Sequence, residues 1–327
     1  MMLNRTEVKR FDFLTVGEAM LRLSVPPTQL LSDATSFDVH VAGAESNVAV
    51  AISRMNYKAA WWSRLPQNPL GQRVVQTLTG YGVDCSGVIF SEGERLGTYF
   101  IEFGSSPRPT LVTYDRKYSA ASRMDEQTFD LSWISQTRCV HLTGITAAIS
   151  DSCYSLLQKI IETAVSQSIH IIFDVNYRAL LWTAQACRDK LTPLLKQVST
   201  LIVSRRDVEG VFGITGELPA MVDQLHQRFG VPQIAVTIGD KGAVGFEHGH
   251  FFEVPAYVVQ MVDRIGAGDS FAAGVICGLL EGSFELGLRY GVAMSALQLT
   301  LAGDIFRLAR ADVLRLMNSA SASGLVR

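Results

Sequence analysis

The sequence predicts an α/β protein, a three-layer sandwich in which helices cover both faces of a mostly parallel central sheet, with a small β-sheet lid. Helical and strand patterns alternate regularly from residue 126 onward, as they do in βαβ units. Residues 11–18 form an apolar run, which is typical of a strand buried on both faces. Short alternating segments interrupt this order in the first part of the chain, and these predict the lid.

The first part of the chain combines central strands with the lid. Apolar runs, turn residues and a proline suited to a first helical turn give these elements in order: a strand at 11–18, lid strands at 21–25 and 36–41, a helix at 47–55, a strand at 59–63, a helix at 68–81, and lid strands at 96–103 and 110–114. The lid segments therefore cover about residues 20–41 and 96–115.

The second part of the chain alternates more strictly. The predicted elements are helices at 126–135, 152–166, 184–195, 206–212 and 219–229, strands at 138–142, 170–174, 200–203 and 233–238, a hairpin of 243–247 with 250–254, and helices at 268–280, 284–301 and 311–317. One domain thus spans residues 11–317. Residues 318–327 are Ser, Ala and Gly without periodicity over most of their length, and we expect a disordered tail.

Composition excludes several classes of protein. A formal charge of −2 gives no basic field for nucleic acid or an anionic membrane. The apolar runs are shorter than the roughly 18 residues of a membrane span, and the charged N-terminal segment does not read as a signal peptide. Five scattered cysteines form no Cys-x-x-Cys pair, so we expect reduced thiols, no disulfide, no zinc site and a cytoplasmic location.

A glycine loop before the helix at 268–280 is the most informative stretch. Gly266, Ala267 and Gly268 can leave backbone N–H groups uncovered where a helix dipole begins, which makes an anion site. Asp269 lies at its mouth, where a carboxylate suits proton acceptance from an attacking hydroxyl. A Gly-x-Gly turn alone is common, and this one is neither a dinucleotide fingerprint nor a Walker loop. The Asp that follows the second glycine favours phosphoryl transfer.

Two motifs resemble the signatures of one enzyme family. The stretch GAGDSFAAG, residues 266–274, resembles the C-terminal signature of the ribokinase-like sugar kinases, also called the phosphofructokinase B family. The stretch AGAESNVA, residues 42–49, is similar to the N-terminal signature that bounds the sugar pocket. The chain departs from the usual pattern at Ala42 and Arg264. The resemblance implies a ribokinase-like fold, ATP as the donor, and Asp269 as the base.

Within that family the chain most resembles the kinases of 2-keto-3-deoxygluconate. The motifs GTYF at 97–100, YDR at 114–116 and DVNYR at 174–178 carry this likeness. It implies that the sugar acid is contacted by Gly43, Asn47, Tyr99, Tyr114, Arg116 and Arg178. Arginine forks suit a carboxylate, although each Arg could instead form a surface ion pair, and each Tyr could be a core or interface aromatic. Asp115 would repel the carboxylate, so we expect it to point away.

The nucleotide and metal are predicted on the other side of Asp269. Thr237, Gly239 and Gly242 resemble the family's adenine-nucleotide loop, although they also fit an ordinary hairpin turn. Magnesium is the expected metal, since it is shared between few carboxylates and phosphates. Asp207 is the candidate ligand and Glu209 the fallback, because the usual Asn-x-x-Glu is absent. The need for a monovalent cation stays open.

The predicted activity is ATP-dependent phosphorylation of the primary hydroxyl of a keto-deoxy sugar acid, with 2-keto-3-deoxygluconate and its 6-phosphate as the first candidates. The nearest alternative is a kinase of the same fold that acts on ribose, fructose, a nucleoside or an inositol-derived keto-deoxy acid. A dinucleotide-dependent oxidoreductase and a non-catalytic sugar-binding regulator are the alternatives from other classes. We expect a homodimer, because pairing two lids would cover the exposed face of each small sheet.

Overall fold

The structure, a computed structural model, describes residues 9–105 and 107–319. Its strands are β1 (Phe11–Val16), β2 (Met20–Val25), β3 (Asp38–Ala42), β4 (Ala59–Trp62), β5 (Arg64–Pro66), β6 (Ile89–Ser91), β7 (Thr98–Glu102), β8 (Leu111–Asp115), β9 (Thr137–Thr143), β10 (His170–Asp174), β11 (Thr200–Ser204), β12 (Gln233–Thr237), β13 (Gly242–Glu247) and β14 (His250–Pro255). Its helices are α1 (Ala44–Arg54), α2 (Pro69–Gly80), α3 (Ser132–Ser135), α4 (Gly144–Ile149), α5 (Asp151–Ser166), α6 (Ala184–Leu195), α7 (Arg205–Gly210), α8 (Leu218–Phe229), α9 (Ala267–Leu280), α10 (Phe284–Gln298) and α11 (Arg310–Asn318).

The central sheet has the order β14-β13-β12-β11-β10-β9-β1-β4. The pairs from β4 to β12 are parallel, and the hairpin of β13 and β14 adds an antiparallel edge. Strands of this kind are buried on both faces, and every residue of β10 is buried. The predicted, mostly parallel sheet is therefore confirmed.

Helices cover both faces of this sheet. One hydrophobic core includes residues of α5, α6 and α8, and the other includes residues of α1, α2, α9 and α10. Trp61 belongs to the second core and Trp62 to the first, as the alternation of side chains along a strand requires. The three layers predicted from the helix and strand rhythm are present.

Glycines bring α9 and α10 unusually close together. A Cβ at Gly274 would collide with the backbone of Gly291, and one at Gly278 would collide with the backbone of Gly287. Because α9 begins at the glycine loop, this contact fixes the helix that carries Asp269.

The lid is a four-stranded sheet with the order β3-β2-β7-β8. The pair β2 and β7 is parallel, and the outer pairs are antiparallel. Since β2 begins shortly after β1 ends, the lid is attached at the carboxyl end of a central strand. All four predicted lid strands are present, with ends shifted by one to a few residues.

Some predicted elements were wrong. Of the helix predicted at 126–135, only α3 is helical, because the Asp125 side chain accepts hydrogen bonds from the N–H groups of Gln127 and Thr128 and forms a turn instead. The helix α4 and the small parallel sheet of β5 and β6 were not predicted. The last helix extends to Asn318, and residues 320–327 of the predicted tail lie outside the described residues.

All five cysteines are buried and free. Within residues 9–105 and 107–319, none of the helices has both the length and the apolar character needed to cross a bilayer.

Candidate active site

A cavity of about 570 Å³ opens between the lid and the carboxyl ends of the central strands. Asp174, Ser204 and Thr237, the last residues of β10, β11 and β12, line its floor, and Met20, Tyr99 and Tyr114 of the lid line its wall. Ligands of open α/β sheets collect at this edge. The predicted residues Gly43, Asn47, Tyr99, Tyr114, Arg116, Arg178, Asp207, Thr237, Gly266, Gly268 and Asp269 all line this one cavity.

The glycine loop forms the N-terminal end of α9. Gly266 is the N-cap residue and has a φ of 82°, a left-handed conformation that favours glycine. A Cβ there would also collide with the carbonyl oxygen of Asp304, so glycine is required for two reasons. The first N–H groups of a helix have no partner within it, and Gly268 is exposed beside the cavity. Backbone donors at this helix end are thus available to an anion.

Asp269 lies in the first turn of α9 and is 8% exposed. The Nδ2 atom of Asn47 donates a hydrogen bond of 2.7 Å to its Oδ2 atom. Burial raises the pKa of Asp269 to about 6, while the Asn47 hydrogen bond and the charge of Arg178 oppose that rise. With a pKa of about 6, the carboxyl group is mostly ionised at pH 7 and can accept a proton.

Two further carboxyl groups lie on the cavity floor. Burial raises the pKa of Asp174 to about 8, and the negative charges of Asp269 and Asp207 add to the rise. Burial also raises the pKa of Asp207. No sequence argument had given Asp174 a role, although it belongs to the DVNYR motif. A positive charge placed among these groups would favour their ionised forms.

Glu209, the fallback metal ligand, does not line the cavity, and its Oε1 atom pairs with Nε of Arg205 at 2.9 Å. In the described part of the chain, no set of three or more His, Cys, Asp or Glu side chains is arranged to hold a metal ion. A metal here would need ligands from outside the protein, which suits magnesium shared with phosphates.

Two of the arginines that line the cavity have side chains available to a ligand. Over residues 9–105 and 107–319, the side chains of Arg178 and Arg264 make neither a hydrogen bond nor an ion pair, and both are exposed at the cavity. The charge of Arg178 nevertheless lowers the pKa of the nearby carboxyl groups of the cavity floor and of Asp269. Unpaired guanidinium groups that line a cavity are available to anionic groups of a ligand. Arg264, the residue that departs from the family signature, lies next to the glycine loop and lines the cavity with it.

Arg116 is already paired. Its Nε atom donates to Oε2 of Glu18 at 2.9 Å, Nη2 donates to the same oxygen, and the guanidinium group lies 5.6 Å from the ring centroid of Tyr114. The hydroxyl of Ser119 donates to the other oxygen of Glu18. Glu18 was missed because it was read as the end of the first strand. The sequence feature that could have identified Glu18 is a charged residue at the end of an apolar run.

Tyr99 lines the cavity, and its hydroxyl donates a 2.5 Å hydrogen bond to Oδ2 of Asp304. Its ring lies 5.4 Å from that of Tyr114. Asp115 points away from the cavity, as expected, and pairs with Arg95 at 2.5 Å. Asp304 and its second partner, Arg22, were missed by the sequence analysis.

The residues predicted to contact the nucleotide are only partly at the cavity. Thr237 lines it, whereas Gly239 and Gly242 do not. Gly242 has a φ of 104°, and a Cβ there would collide with the carbonyl of Val254 in the hairpin, so the turn itself requires this glycine. Gly43, the N-cap of α1, is required by the close approach of the Glu18 carbonyl oxygen.

Comparison with known proteins adds four findings. The sequence model of a family described as pfkB family carbohydrate kinase matches residues 11–310. The chain is 36% identical to the 2-dehydro-3-deoxygalactonokinase of Haloferax volcanii over 95% of this chain and 98% of that one. The crystal structure of a 2-dehydro-3-deoxygluconokinase from Thermotoga maritima matches with a TM-score of 0.90 and 31% identity, over 95% and 100% of the two chains. A putative ribokinase II of E. coli in complex with ATP and Mg²⁺ shares the fold, with a TM-score of 0.85 and 20% identity over 94% and 99%.

Proposed function

The chain belongs to the pfkB family of carbohydrate kinases, and from that premise we propose that it transfers the γ-phosphoryl group of ATP to the primary hydroxyl of a 2-keto-3-deoxy sugar acid. The ribokinase-like fold and the family predicted from the two signatures are confirmed. The proposal on the substrate rests chiefly on one observation, the unpaired Arg178 in a cavity that also holds a buried carboxylate beside a helix N-terminus.

Asp269 is the proposed base. As the sugar oxygen bonds to the γ-phosphorus and the bond from that phosphorus to the bridging oxygen of ADP breaks, the hydroxyl proton passes to the Asp269 carboxylate. Asn47 holds that carboxylate by its 2.7 Å hydrogen bond. The N–H groups of Gly266, Ala267 and Gly268, at the N-terminus of α9, would stabilise the negative charge on the transferred group.

The sugar acid would lie against the lid. A carboxylate accepts two charge-assisted hydrogen bonds from a guanidinium group, and Arg178 is free to donate them. Arg116 is held by Glu18, so its positive charge is already balanced, and this pair is better suited to neutral hydroxyls than to the carboxylate. Gly43, Asn47, Tyr99 and Tyr114 complete the proposed sugar side.

ATP and magnesium would lie on the opposite side of Asp269. Thr237 lines the cavity, and Gly239 and Gly242 follow it in the turn toward β13. Asp207 and Asp174 fit a magnesium ion, because both are buried oxygen ligands whose raised pKa a cation would reverse. When bound, the ion neutralises charge on the phosphates. The E. coli protein of the same fold, in complex with ATP and Mg²⁺, supports this choice of cofactors.

A coupled assay of ADP release with a panel of acceptors tests the substrate. The panel holds 2-keto-3-deoxygluconate, its C4 epimer 2-keto-3-deoxygalactonate, an inositol-derived keto-deoxy acid, ribose, fructose and adenosine. The relatives from Haloferax volcanii and Thermotoga maritima are both named as kinases of 2-keto-3-deoxy sugar acids. We therefore expect kcat/KM to be highest for the first two compounds. A higher kcat/KM for a neutral sugar or a nucleoside would overturn the proposal.

A further inference from the structure

A buried charge cluster connects the lid to the glycine loop. We call Arg22, Tyr99, Asp263 and Asp304 the lid cluster. The Arg22 side chain is 2% exposed, its Nη2 atom lies 3.0 Å from Oδ2 of Asp263, and its Nη1 atom donates to Oδ1 of Asp304. The Tyr99 hydroxyl donates to the other oxygen of Asp304 at 2.5 Å.

Two neighbouring strands of the lid supply Arg22 and Tyr99 to the lid cluster. Arg22 of β2 and Tyr99 of β7 are register partners in neighbouring strands of the lid. The Arg22 guanidinium group also lies 5.1 Å from the ring centroid of Phe103. The lid thus presents one guanidinium group and one phenol toward the large domain.

The other side of the cluster contacts the glycine loop at two points. Asp263 precedes the loop, and its Oδ1 atom accepts a hydrogen bond of 3.1 Å from the N–H of Ile265. The carbonyl oxygen of Asp304 lies against Cα of Gly266, where no Cβ would fit. The second carboxyl oxygen of Asp263 accepts from the N–H of Gly303, which ties the two acidic residues together. A shift of either carboxylate therefore moves the backbone that forms the anion site.

Burial makes the cluster sensitive to the loss of one member. Two buried carboxylates without a counter-charge cost several kcal/mol of stability in general, and here Arg22 supplies the positive charge. Burial raises the pKa of Asp304, and the Arg22 charge and the Tyr99 hydrogen bond oppose that rise. Similar stability could come from apolar residues, so the structural use of such a group is to fix one arrangement of the parts it joins.

We propose that Arg22 is a positioning residue for phosphoryl transfer: through Asp263 and Asp304 it sets the geometry of the glycine loop according to the position of the lid. The inference rests on the proposed function of that loop. Arg22 does not line the cavity, so it acts through the two carboxylates and does not touch the substrate.

Arg22→Met tests this by kinetics. We expect kcat to fall by about 10- to 100-fold, while the KM values for ATP and sugar acid change little, since a small misplacement of donors affects the transition state most. The control is Arg64→Met, which removes an ion pair with Glu94 that lies outside the cavity. That variant is expected to lose stability but to keep its kcat.

A double variant separates positioning from folding. Arg22→Met with Asp304→Asn leaves the cluster with the net charge of the wild type, so part of the lost melting temperature should return. The double variant still lacks the contacts of Arg22 with Asp263 and Asp304, so its kcat should stay low. Recovery of wild-type kcat together with stability would mean that Arg22 only balances charge, and the inference would be wrong.

A measurement without substrate keeps this inference apart from the proposed function. Hydrogen–deuterium exchange of the peptide that spans residues 263–270 should be faster in Arg22→Met than in the wild type, and unchanged in Arg64→Met. Unchanged exchange in both variants would overturn the inference, whatever the acceptor panel shows. Absence of phosphoryl transfer to every acceptor, with faster exchange in Arg22→Met, would overturn the proposed function and leave the coupling of lid and loop in place.

Discussion

Asp269 joins two properties that conflict in a folded protein, since its carboxylate is needed for the proposed chemistry and is disfavoured by burial. Its pKa of about 6 lies above the ordinary value of about 3.9. The native state therefore binds its proton more tightly than the unfolded state. Its contribution to stability is present at low pH and is lost as the pH rises through about 6.

Asp269→Asn should lower kcat by about 10²- to 10⁴-fold, the usual contribution of a general base. The melting temperature at pH 7 should not fall, because the variant removes a buried charge and keeps an acceptor for Asn47. The ADP-release assay and thermal melts measure the two effects. Near wild-type turnover would show that another group takes the proton.

The pH dependence of kcat/KM follows from the same group. Because only ionised Asp269 accepts a proton, kcat/KM in the free enzyme should rise with pH and level off above about 6. Initial rates between pH 5 and pH 8 measure this profile. A flat profile across that range would contradict the assignment of the base.

Arg178→Ala should raise the KM for the sugar acid by about tenfold or more, because a charge-assisted pair is lost, and should leave the KM for ATP nearly unchanged. Arg205→Ala is the control, since Arg205 pairs with Glu209 outside the cavity. Steady-state kinetics with either substrate varied distinguishes them. If the two KM values rose equally, Arg178 would not be the carboxylate clamp.

Single residues were predictable where a local motif carried them. Asp269 and Arg178 stand in short stretches with a recognisable order, and both lie in the cavity. Arg22 had no such signal, because it reads as one polar position of an alternating strand. Its partners are 241 and 282 residues away in the chain, and only the fold brings them together.

At the scale of elements, the contact between α9 and α10 holds the helix of the proposed base. Gly274 and Gly278 allow the two backbones to touch. The sequence predicted both helices from their apolar composition, but their separation depends on glycines that look unremarkable in a buried helix. The helix predicted at 126–135 failed for a related reason, since the hydrogen bonds of Asp125 compete locally with the helical pattern.

Gly278→Ala should lower the free energy of unfolding by about 1–3 kcal/mol, because the added methyl group must push α9 and α10 apart. Gly80→Ala is the matched control, since Gly80 is the last residue of α2 and a Cβ there meets nothing. Urea denaturation measures both variants. Equal stability of the two would mean that the helix contact can relax without cost.

At the scale of the whole molecule, the lid leaves apolar side chains uncovered. Phe37 and Leu111 do not line the cavity and are exposed at 38% and 52%. The architecture was predictable because buried parallel strands have a clear apolar pattern. The assembly is not encoded in that pattern, since the uncovered side chains of a lid look like those of any sheet edge.

The predicted homodimer can be tested on this surface. If two lids pair, the protein should elute at twice its monomer mass in light scattering at micromolar concentration, and Leu111→Glu should give the monomer by placing a charge in the interface. Ser105→Glu is a control on the exposed turn between the lid strands. A monomeric wild type would contradict the prediction.

The cavity wall comes from two parts of the fold, the lid strands on one side and the carboxyl ends of the central strands with α9 on the other. The proposed sugar contacts Tyr99, Tyr114 and Arg116 fall within residues 98–116, whereas Arg178, Asp269 and the glycine loop lie outside the lid. Exchange of this segment between relatives should therefore change the part of acceptor choice that depends on lid residues, while Arg178 keeps the contact proposed for the carboxylate. Such a chimaera would have to retain Tyr99 and its hydrogen bond to Asp304, because that contact joins the lid to a residue packed against the glycine loop.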